Sequence, residues 1–395
     1  MMMKNFTIKS VITLATFFLF FMGYSQQSKV VIKGTLVDTQ NVPIPYASIG
    51  IPSKYVGTSS TSEGTFYFLL TENELADTME ISSIGYGTFK IKVQDFLNLK
   101  EQIIILEDNI TDLDAVLILN PKDYVDNAFD NLRDNTVSDN HQLNVLYRRS
   151  SLEGGKAKLF VEHYLHLLER GPSTSHMKRI QVVEGRKSGD YRLYPGSQRR
   201  HAIYYMSTTN PIRSDISDLK RRKWKNSGYT TYDNEDVLIL ENFKNENKFI
   251  KLYVGIDSYK IYKIETDRSL FIYKKNSDGK LYLSYYRRIA EGVKDLSDGV
   301  IAKRKRMGLP LKYKIKKNYL HEVFVLGIET DKKKINVKSY GEDEDVADVK
   351  VEYNPEFWSN FNSPPDTKYY LKTKKDLEAI YGVPLETQFK YSSGK

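Results

Sequence analysis

The residues that follow the N-terminal segment alternate between short β-type runs and turn residues. The runs are rich in Val, Ile, Thr, Tyr and Phe, and Gly, Pro, Asn or Ser separate them at a spacing near ten residues, which is typical of short strands joined by tight turns. Seven such runs within residues 28–107 predict a β-sandwich. The predicted strands are Val30–Val37, Ala47–Ile51, Tyr55–Ser60, Thr65–Leu70, Thr78–Ser83, Thr88–Val93 and Gln102–Leu106.

Residues 108–140 form a linker and one predicted helix. The linker begins with the acidic and polar run Glu107–Asp114, and Asn120 can cap a helix whose first residue is Pro121. Apolar side chains then recur at helical spacing, which predicts an amphipathic helix over Pro121–Asp134. These side chains are Tyr124, Val125, Ala128, Phe129 and Leu132.

Residues 141–395 contain longer strands that meet at hairpin signals. Gly154-Gly155 and Ser277-Asp278-Gly279 are the clearest turns, and consecutive hairpins predict an antiparallel sheet that is strongly curved or half-closed. A C-terminal helix is predicted at Thr373–Tyr381. The predicted strands include Leu143–Ser150, Ala157–Leu168, Phe249–Ile256, Tyr259–Asp267, Phe271–Lys275, Leu281–Tyr286, Ile289–Val293, Val300–Lys305, Tyr313–Lys317, Val323–Glu329 and Asp348–Tyr353.

The first 25 residues are predicted to be a secretory signal peptide. Lys4 and Lys9 precede the apolar run Val11–Met22, and small residues before position 26 place cleavage after Ser25. A retained N-terminal anchor is the alternative. The chain of 395 residues has no cysteine, which excludes disulfides and thiolate chemistry. Export without cysteine suits a bacterial periplasm or an outer-membrane location.

Four ordered motifs of the first module resemble the carboxypeptidase-regulatory-like domain. This family has a transthyretin-like sandwich and is common in exported proteins of the Bacteroidetes. The resemblance implies an accessory fold without peptidase chemistry. The motifs are Gly34–Asp38 (GTLVD), Pro43–Ile49 (PIPYASI), Gly57–Phe66 (GTSSTSEGTF) and Ile81–Tyr86 (ISSIGY).

The second module is similar to a β-rich region of unassigned function that follows this sandwich in many flavobacterial exported proteins. Its YVGIDSYKI hairpin also resembles the half-barrel of lipoprotein-carrier proteins, which is an analogy of fold and does not transfer function. The fold class is therefore predicted to be mainly β: a seven-stranded transthyretin-like sandwich and a larger curved antiparallel sheet with a few helices. The motifs are Leu146–Arg149, Val183–Asp190, Tyr253–Ile261, Tyr353–Trp358 and Leu385–Phe389.

No catalytic motif is present, and we predict no catalytic residue, no metal site and no cofactor. A zinc peptidase would need His-x-x-Glu with a distant His, and this spacing occurs once, at His166 and Glu169, with His201 or His321 as a third ligand. The pair falls at the end of a predicted strand, where positions three apart point to opposite faces. Strand histidines without a ligand role are the preferred interpretation. A hydrolase of peptide or glycan stays as an alternative.

Two basic runs are the candidate binding residues. The chain carries 59 Lys and Arg against 50 Asp and Glu, a formal charge of +9, and the runs could contact an anionic surface such as a glycan or a lipid headgroup. A solvated loop is the alternative for each run, and Trp224 could instead be a core anchor. The first run is Lys220, Arg221, Arg222, Lys223, Trp224 and Lys225, and the second is Lys303, Arg304, Lys305 and Arg306.

The expected function is that of a non-enzymatic envelope protein with an accessory sandwich and a binding or scaffold domain. Candidate partners are an envelope protein, a glycan or a lipid headgroup, and nucleic acid is not expected because the chain is exported. A carrier of lipid or another apolar ligand is the alternative, and it requires an apolar cavity inside the second sheet. The sequence does not set the oligomeric state.

Overall fold

The computed structural model describes residues 29–109, 120–174, 179–193, 202–214, 216–245, 248–338 and 345–392. The predicted signal segment 1–25 and His201 lie outside these residues. Within the described ranges, no helix combines the length and the apolar character needed to cross a membrane.

The N-terminal module is a sandwich of two sheets, with strand orders β4-β1-β7 and β3-β2-β5-β6. Burial alternates along β4, where Phe66, Phe68 and Leu70 face the core, because successive side chains of a strand point to opposite faces. The predicted strands are confirmed, each within one residue at either end. They are β1 Lys29–Val37, β2 Ser48–Ile51, β3 Val56–Ser59, β4 Thr65–Thr71, β5 Thr78–Ser82, β6 Phe89–Lys92 and β7 Ile103–Ile105, with helix α1 at Val93–Leu97.

The second module is one curved antiparallel sheet, a half-barrel, with the strand order β11-β12-β13-β14-β15-β16-β17-β8-β9-β10. Long hairpins build it, because β8 with β9 and β16 with β17 pair over most of their length. The strands are β8 His141–Glu153, β9 Lys156–Glu169, β10 Arg179–Lys187, β11 Lys225–Tyr232, β12 Glu235–Asn245, β13 Lys248–Gly255, β14 Ile261–Thr266, β15 Ser269–Lys275, β16 Leu281–Asp295 and β17 Lys314–Glu329.

Short helices cover one face of the half-barrel, which we call the inner face. Side chains of all these helices and of the strands join one continuous apolar cluster, to which α5 Pro211–Ser214 contributes Ile212. This cluster fills the inner face with the protein's own side chains. The other helices are α2 Pro121–Asp130, α3 Leu132–Asn135, α4 Tyr205–Thr208 and α6 Ile216–Arg221.

The opposite, outer face is covered by the C-terminal helices and by the sandwich. Trp358, Tyr370 and Phe389 of these helices pack against apolar side chains of β8, β9 and β17. The helices are α8 Pro355–Asn360, α9 Lys368–Glu378 and α10 Leu385–Ser392. Both faces of the sheet are therefore buried, which explains why its central strands have few exposed positions.

Two predicted strands are wrong. Val300–Lys305 lies within helix α7, Asp298–Arg306, because Ala and the run of Lys and Arg are good helix formers and outweigh the two β-branched residues. In place of the predicted strand Asp348–Tyr353, Asp348 ends a short 3-10 turn, Val346–Asp348, and residues 349–353 are irregular chain. The predicted strands Leu281–Tyr286 and Ile289–Val293 are one continuous strand, β16. Strands β10, β11 and β12 were not predicted.

The sandwich docks on the outer face of the half-barrel through a few specific contacts. Val56 of β3 pairs with Gly327 of β17, and the Tyr46 ring stacks on the Tyr285 ring with centroids 4.4 Å apart. Arg287 donates a hydrogen bond to the Tyr46 hydroxyl at 2.9 Å. These contacts join residues of the two modules that are more than two hundred positions apart in the chain.

Lys274 of β15 lies in a small cavity of about 90 Å³ between the modules. Its ammonium group lies close to Gly57, because a Cβ atom added to that glycine would be 3.0 Å from the Lys274 Nζ atom. The same Nζ atom lies 5.4 Å from the centre of the Tyr282 ring. Burial lowers the pKa of Lys274 to about 8, and no charged partner offsets it among the described residues. The neighbouring Lys275, in contrast, pairs with Asp233 at 2.8 Å.

We expect Lys274→Met to raise the free energy of unfolding at pH 7 by about 1–2 kcal/mol, because it removes a desolvated charge. Between pH 8 and the unfolded value of 10.5 the folded state binds fewer protons, so wild-type stability should rise with pH there. Urea unfolding at pH 7 and pH 10 measures both effects. Lys275→Met is the control and should not stabilise, and equal stabilisation by both variants would refute the assignment.

Candidate functional site

Several strand ends meet at one end of the half-barrel, which we call the mouth end. Because neighbouring strands are antiparallel, strand starts and strand ends alternate along this end, from the start of β11 to the middle of β16. The two basic runs adjoin it, because the first run leads into β11 and the second lies in the connection from β16 to β17. The pairs that define the mouth end are Lys225 with Glu241, Asn245 with Lys248, Ile250 with Thr266, Glu265 with Leu270, and Ser269 with Arg288.

An open pocket of about 340 Å³ lies at the mouth end, and we call it the mouth pocket. Its lining combines four cationic side chains, several hydroxyl and amide groups, one carboxylate and a small apolar wall. Such a combination suits an anionic group attached to a larger body. The lining residues are Thr209, Arg222, Asn242, Lys248, Phe249, Ile250, Thr266, Asp267, Arg268, Ser269 and Arg288.

The four cations of the mouth pocket differ in their partners. Arg222 binds Asp218 at 2.6 Å, and Arg268 lies 3.4 Å from the Asp267 carboxylate. Arg288 donates a hydrogen bond to the Ser269 hydroxyl at 3.3 Å and lies 5.0 Å from the centre of the Tyr205 ring. Among the described residues it forms no ion pair. Arg288 is therefore a half-buried cation whose charge is not neutralised.

Arg288 is also the outermost member of a row on the inner face. His321 lies opposite Arg288 in the register, and Arg149 lies opposite His321. Burial lowers the pKa of His321 well below its usual value, and Arg149 and Arg288 lower it further, so the imidazole is neutral. Asp345 binds Arg149 at 2.6 Å and neutralises it. Among these three residues, the net positive charge is therefore at Arg288.

A second row, on the outer face, alternates charge across five strands. The register places Arg287, Glu322, Arg148, Glu162 and Arg186 opposite one another in that order. Arg148 donates to Glu162 at 2.5 Å, and Arg186 binds the other oxygen of the same carboxylate. Burial alone would raise the pKa of Glu162, but Arg186 and Arg148 outweigh it and hold the pKa far below its usual range. We call this row the charge ladder.

Aromatic side chains enclose the charge ladder. The Tyr370 hydroxyl donates to Glu322 at 2.6 Å, and Tyr285 donates to the other oxygen of that carboxylate. The Arg186 guanidinium lies 4.3 Å from the centre of the Trp358 ring. Each buried charge thus has a partner, which identifies the ladder as a structural network that ties the C-terminal helices to the sheet.

The first basic run is divided between surface and core. Lys220 pairs with Asp130 at 2.5 Å, Arg222 lines the mouth pocket, and Arg221, Lys223 and Lys225 are exposed. Trp224 is buried, and its indole nitrogen donates to the Leu219 carbonyl at 2.9 Å. Trp224 therefore has the core role that the sequence left as its alternative.

The second basic run lies on helix α7, beyond the mouth pocket. Lys303, Lys305 and Arg306 are exposed to solvent. Arg304 instead donates two hydrogen bonds to the Pro310 carbonyl, at 3.0 and 2.8 Å, and holds the loop that follows the helix. The fold therefore brings the two runs to the same end of the half-barrel.

The peptidase-like spacing does not form a shared site. Glu169 is buried and bound to Arg213, whereas the His166 ring nitrogen lies 3.2 Å from the Tyr164 hydroxyl. His321 is hydrogen-bonded to Tyr147 at 2.9 Å. In the part of the chain that the structure describes, no three His, Asp or Glu side chains converge as metal ligands would.

Arg288 was not singled out by the sequence. It stands in the pair Arg287-Arg288, and adjacent strand residues face opposite sides of a sheet, so that one arginine joins the charge ladder and the other the mouth pocket. The pair of cations was visible in the sequence. Which arginine lies opposite a carboxylate, Glu322, and which lies opposite His321 depends on the pairing of distant strands.

Residues 32–118 match the family model of the CarboxypepD_reg-like domain. This match confirms the resemblance of the first module. No curated protein matches the chain.

Solved structures of low similarity align with about half of the chain. A LolA superfamily protein from Nitrosomonas europaea is 12% identical with a TM-score of 0.23, covering 54% of this chain and 97% of that chain. A putative outer membrane lipoprotein-sorting protein domain from Vibrio parahaemolyticus is 10% identical with a TM-score of 0.26, covering 55% of this chain and 95% of that chain. A structure of the MucA/MucB complex of Pseudomonas aeruginosa is 8% identical with a TM-score of 0.17, covering 53% of this chain and 99% of that chain. Similarity this low does not support transfer of a function.

Proposed function

We propose that this chain is a non-catalytic binding protein of the bacterial envelope, and that its half-barrel holds an anionic group, a phosphate or a carboxylate, in the mouth pocket. In this proposal, residues 1–25 direct export, residues 28–107 are an accessory sandwich, and residues 108–140 connect it to the half-barrel of residues 141–395. Periplasmic or outer-membrane location is part of the proposal and is supported by the pattern of the N-terminal segment.

The unpaired Arg288 carries the proposal. A guanidinium that lines an open pocket and has no carboxylate partner in the described ranges offers its planar donors to a ligand, and phosphate and carboxylate match that geometry. Lys248 at the rim adds a second cation for which the described residues provide no acidic partner. Thr209, Asn242 and Ser269 supply further hydrogen-bonding groups around the same space.

The packing of the inner face favours this proposal over a carrier of an apolar ligand. A carrier needs an apolar cavity inside the sheet, whereas Leu, Val, Tyr and helix side chains fill this region among the described residues. An apolar ligand would have to displace helices α2 to α6 from the sheet. An anionic group needs no such displacement, because the mouth pocket is open.

We expect the protein to bind inorganic phosphate, and Arg288→Gln to weaken this binding ten- to hundredfold, because a charge-assisted hydrogen bond contributes about 1.5–3 kcal/mol. Isothermal titration calorimetry with inorganic phosphate and, separately, with acetate distinguishes the two anions. Lys248→Gln should have a smaller effect than Arg288→Gln, since its charge is more exposed.

Arg179→Gln is the matched control. Arg179 begins β10 opposite Leu168, at the other end of the half-barrel, and is exposed. The Arg179→Gln variant should bind inorganic phosphate with the same affinity as the wild type. Failure of the wild type to bind either anion, or an equal loss in Arg179→Gln and Arg288→Gln, would contradict the proposed site.

A further inference from the structure

The connection between β16 and β17 extends from the mouth end as a separate ordered element. Strand β16 ends at Asp295, whereas its last pair with β15 is at Arg288, so the ribbon of β16 and β17 continues past the neighbouring strand. Helix α7 and a short loop close the ribbon. The Leu296 amide donates to the Tyr313 carbonyl at 2.7 Å at the base of this element. We call residues 292–314 the arm.

The arm combines exposed apolar side chains with a strong positive charge. Its residues include seven Lys or Arg against two Asp. The cations lie mostly on helix α7, and the apolar residues lie mostly in the loop after it. The exposed apolar side chains are Val293 at 63%, Met307 at 61%, Leu309 at 42%, Leu311 at 48% and Tyr313 at 62% exposure. Large apolar side chains on an ordered surface element indicate an interaction site.

We propose that the arm docks the protein on an anionic lipid bilayer, with the loop 307–313 inserted at the headgroup level and helix α7 over the charged surface. The combination fits a bilayer because apolar side chains gain from burial below the headgroups while the flanking cations stay at the anionic surface. The two hydrogen bonds from Arg304 to Pro310 hold the loop beside the helix before contact. Little ordering entropy is therefore lost on binding.

The remaining charges of the mouth end agree with this orientation. Arg221, Lys223 and Lys225 are exposed at the same end, so a surface that accepts the arm also faces them. The opposite end of β17 is followed by Lys332, Lys333 and Lys334, which are exposed without apolar neighbours of the same kind. These lysines provide a matched test of charge without the arm's apolar loop.

Co-sedimentation of residues 26–395 with vesicles tests the proposal. We expect binding to vesicles of equal parts phosphatidylglycerol and phosphatidylcholine, weakened by salt, and much weaker binding to pure phosphatidylcholine. The variant Lys303→Gln/Lys305→Gln/Arg306→Gln should lose about a hundredfold in partition coefficient. The variant Met307→Ser/Leu309→Ser/Leu311→Ser should lose binding that persists at high salt.

The variant Lys332→Gln/Lys333→Gln/Lys334→Gln is the control and should bind vesicles within about twofold of the wild type, because it removes an equal charge from the far end. Met307→Trp adds a second measurement: its fluorescence should shift to the blue on vesicles, as expected for an indole that leaves water. Far-UV circular dichroism checks that each variant is folded.

Four results would overturn the proposal: no vesicle binding by the wild type, unchanged binding by both arm variants, an equal loss in the far-end control, or arm-dependent binding of heparin without binding of vesicles. The last result would assign the arm to a soluble anionic polymer. The arm variants should leave the binding of inorganic phosphate unchanged. Failure of the arm and failure of the mouth pocket are therefore separable.

Discussion

Replacing Glu162 with Gln is expected to lower the free energy of unfolding by about 3–5 kcal/mol, the largest effect of any single change considered for this chain. Glu162 is fully buried and binds both Arg148 and Arg186. The amide keeps the size of the side chain but removes the counter-charge of half-buried Arg186 and the closer counter-charge of buried Arg148, which retains only Asp366 at 3.9 Å. Urea unfolding at neutral pH, followed by circular dichroism, measures the loss.

Glu291→Gln is the control for this prediction. Glu291 also pairs with a cation, Lys316, at 2.8 Å, but both side chains are more than half exposed. Its loss should cost less than about 1 kcal/mol, since an exposed pair is screened by solvent. Equal costs for the two variants would show that the buried ladder does not stabilise the sheet.

The charge ladder also predicts how stability depends on pH. The folded pKa of Glu162 lies well below the unfolded value of 4.5, so the unfolded state binds a proton first as pH falls. The contribution of Glu162 is therefore complete above pH 4.5 and is lost as pH falls below it toward the folded pKa. Glu162→Gln should flatten this part of the acid unfolding curve relative to the wild type.

Replacing Tyr46 with Ala is expected to cost about 3 kcal/mol and to uncouple the sandwich from the half-barrel. The Tyr46 ring is buried, stacks on Tyr285 and accepts a hydrogen bond from Arg287. Its backbone has φ of +59°, a strain that Ala shares, so the difference reports the side chain. Thermal unfolding followed by calorimetry should show two transitions in place of one.

Two further variants separate the contributions to this loss of stability. Tyr46→Phe keeps the stacked ring and removes the acceptor for Arg287, so it should cost about 1.5–3 kcal/mol without separating the transitions. Tyr391→Ala removes a ring that is 81% exposed and should change stability by less than about 0.5 kcal/mol. A single transition and a small cost in Tyr46→Ala would mean that the other contacts suffice to hold the modules together.

The sandwich was predictable because its signals are local. Each strand, such as Thr65–Thr71, alternates apolar and polar residues between turns, and Gly64 has the positive φ of +72° that its turn needs. The half-barrel was predicted less completely. Helix α7 was read as a strand, because Val300 and Ile301 indicate β structure locally whereas the residues after them favour a helix.

The candidate sites show the same division. The basic runs and the pair Arg287-Arg288 could be read from the chain, but not which cations keep a free charge. That depends on partners across the sheet: Arg287 lies opposite Glu322, whereas Arg288 lies opposite His321. Asp345, the partner of Arg149, lies 196 positions away in the chain. Local periodicity contains no information on such pairs.

The sequence by itself determined that the chain is mainly β, that a sandwich of known family precedes a larger sheet, and which segments are basic. These properties follow from side-chain alternation, turn residues and composition, which act over a few neighbouring positions. Only the tertiary structure decided that both basic runs meet at one end, that Glu162 is held by two arginines, and that Arg288 has no ion pair among the described residues. Strand register sets these relations, and register depends on hydrogen bonding and packing between distant parts of the chain.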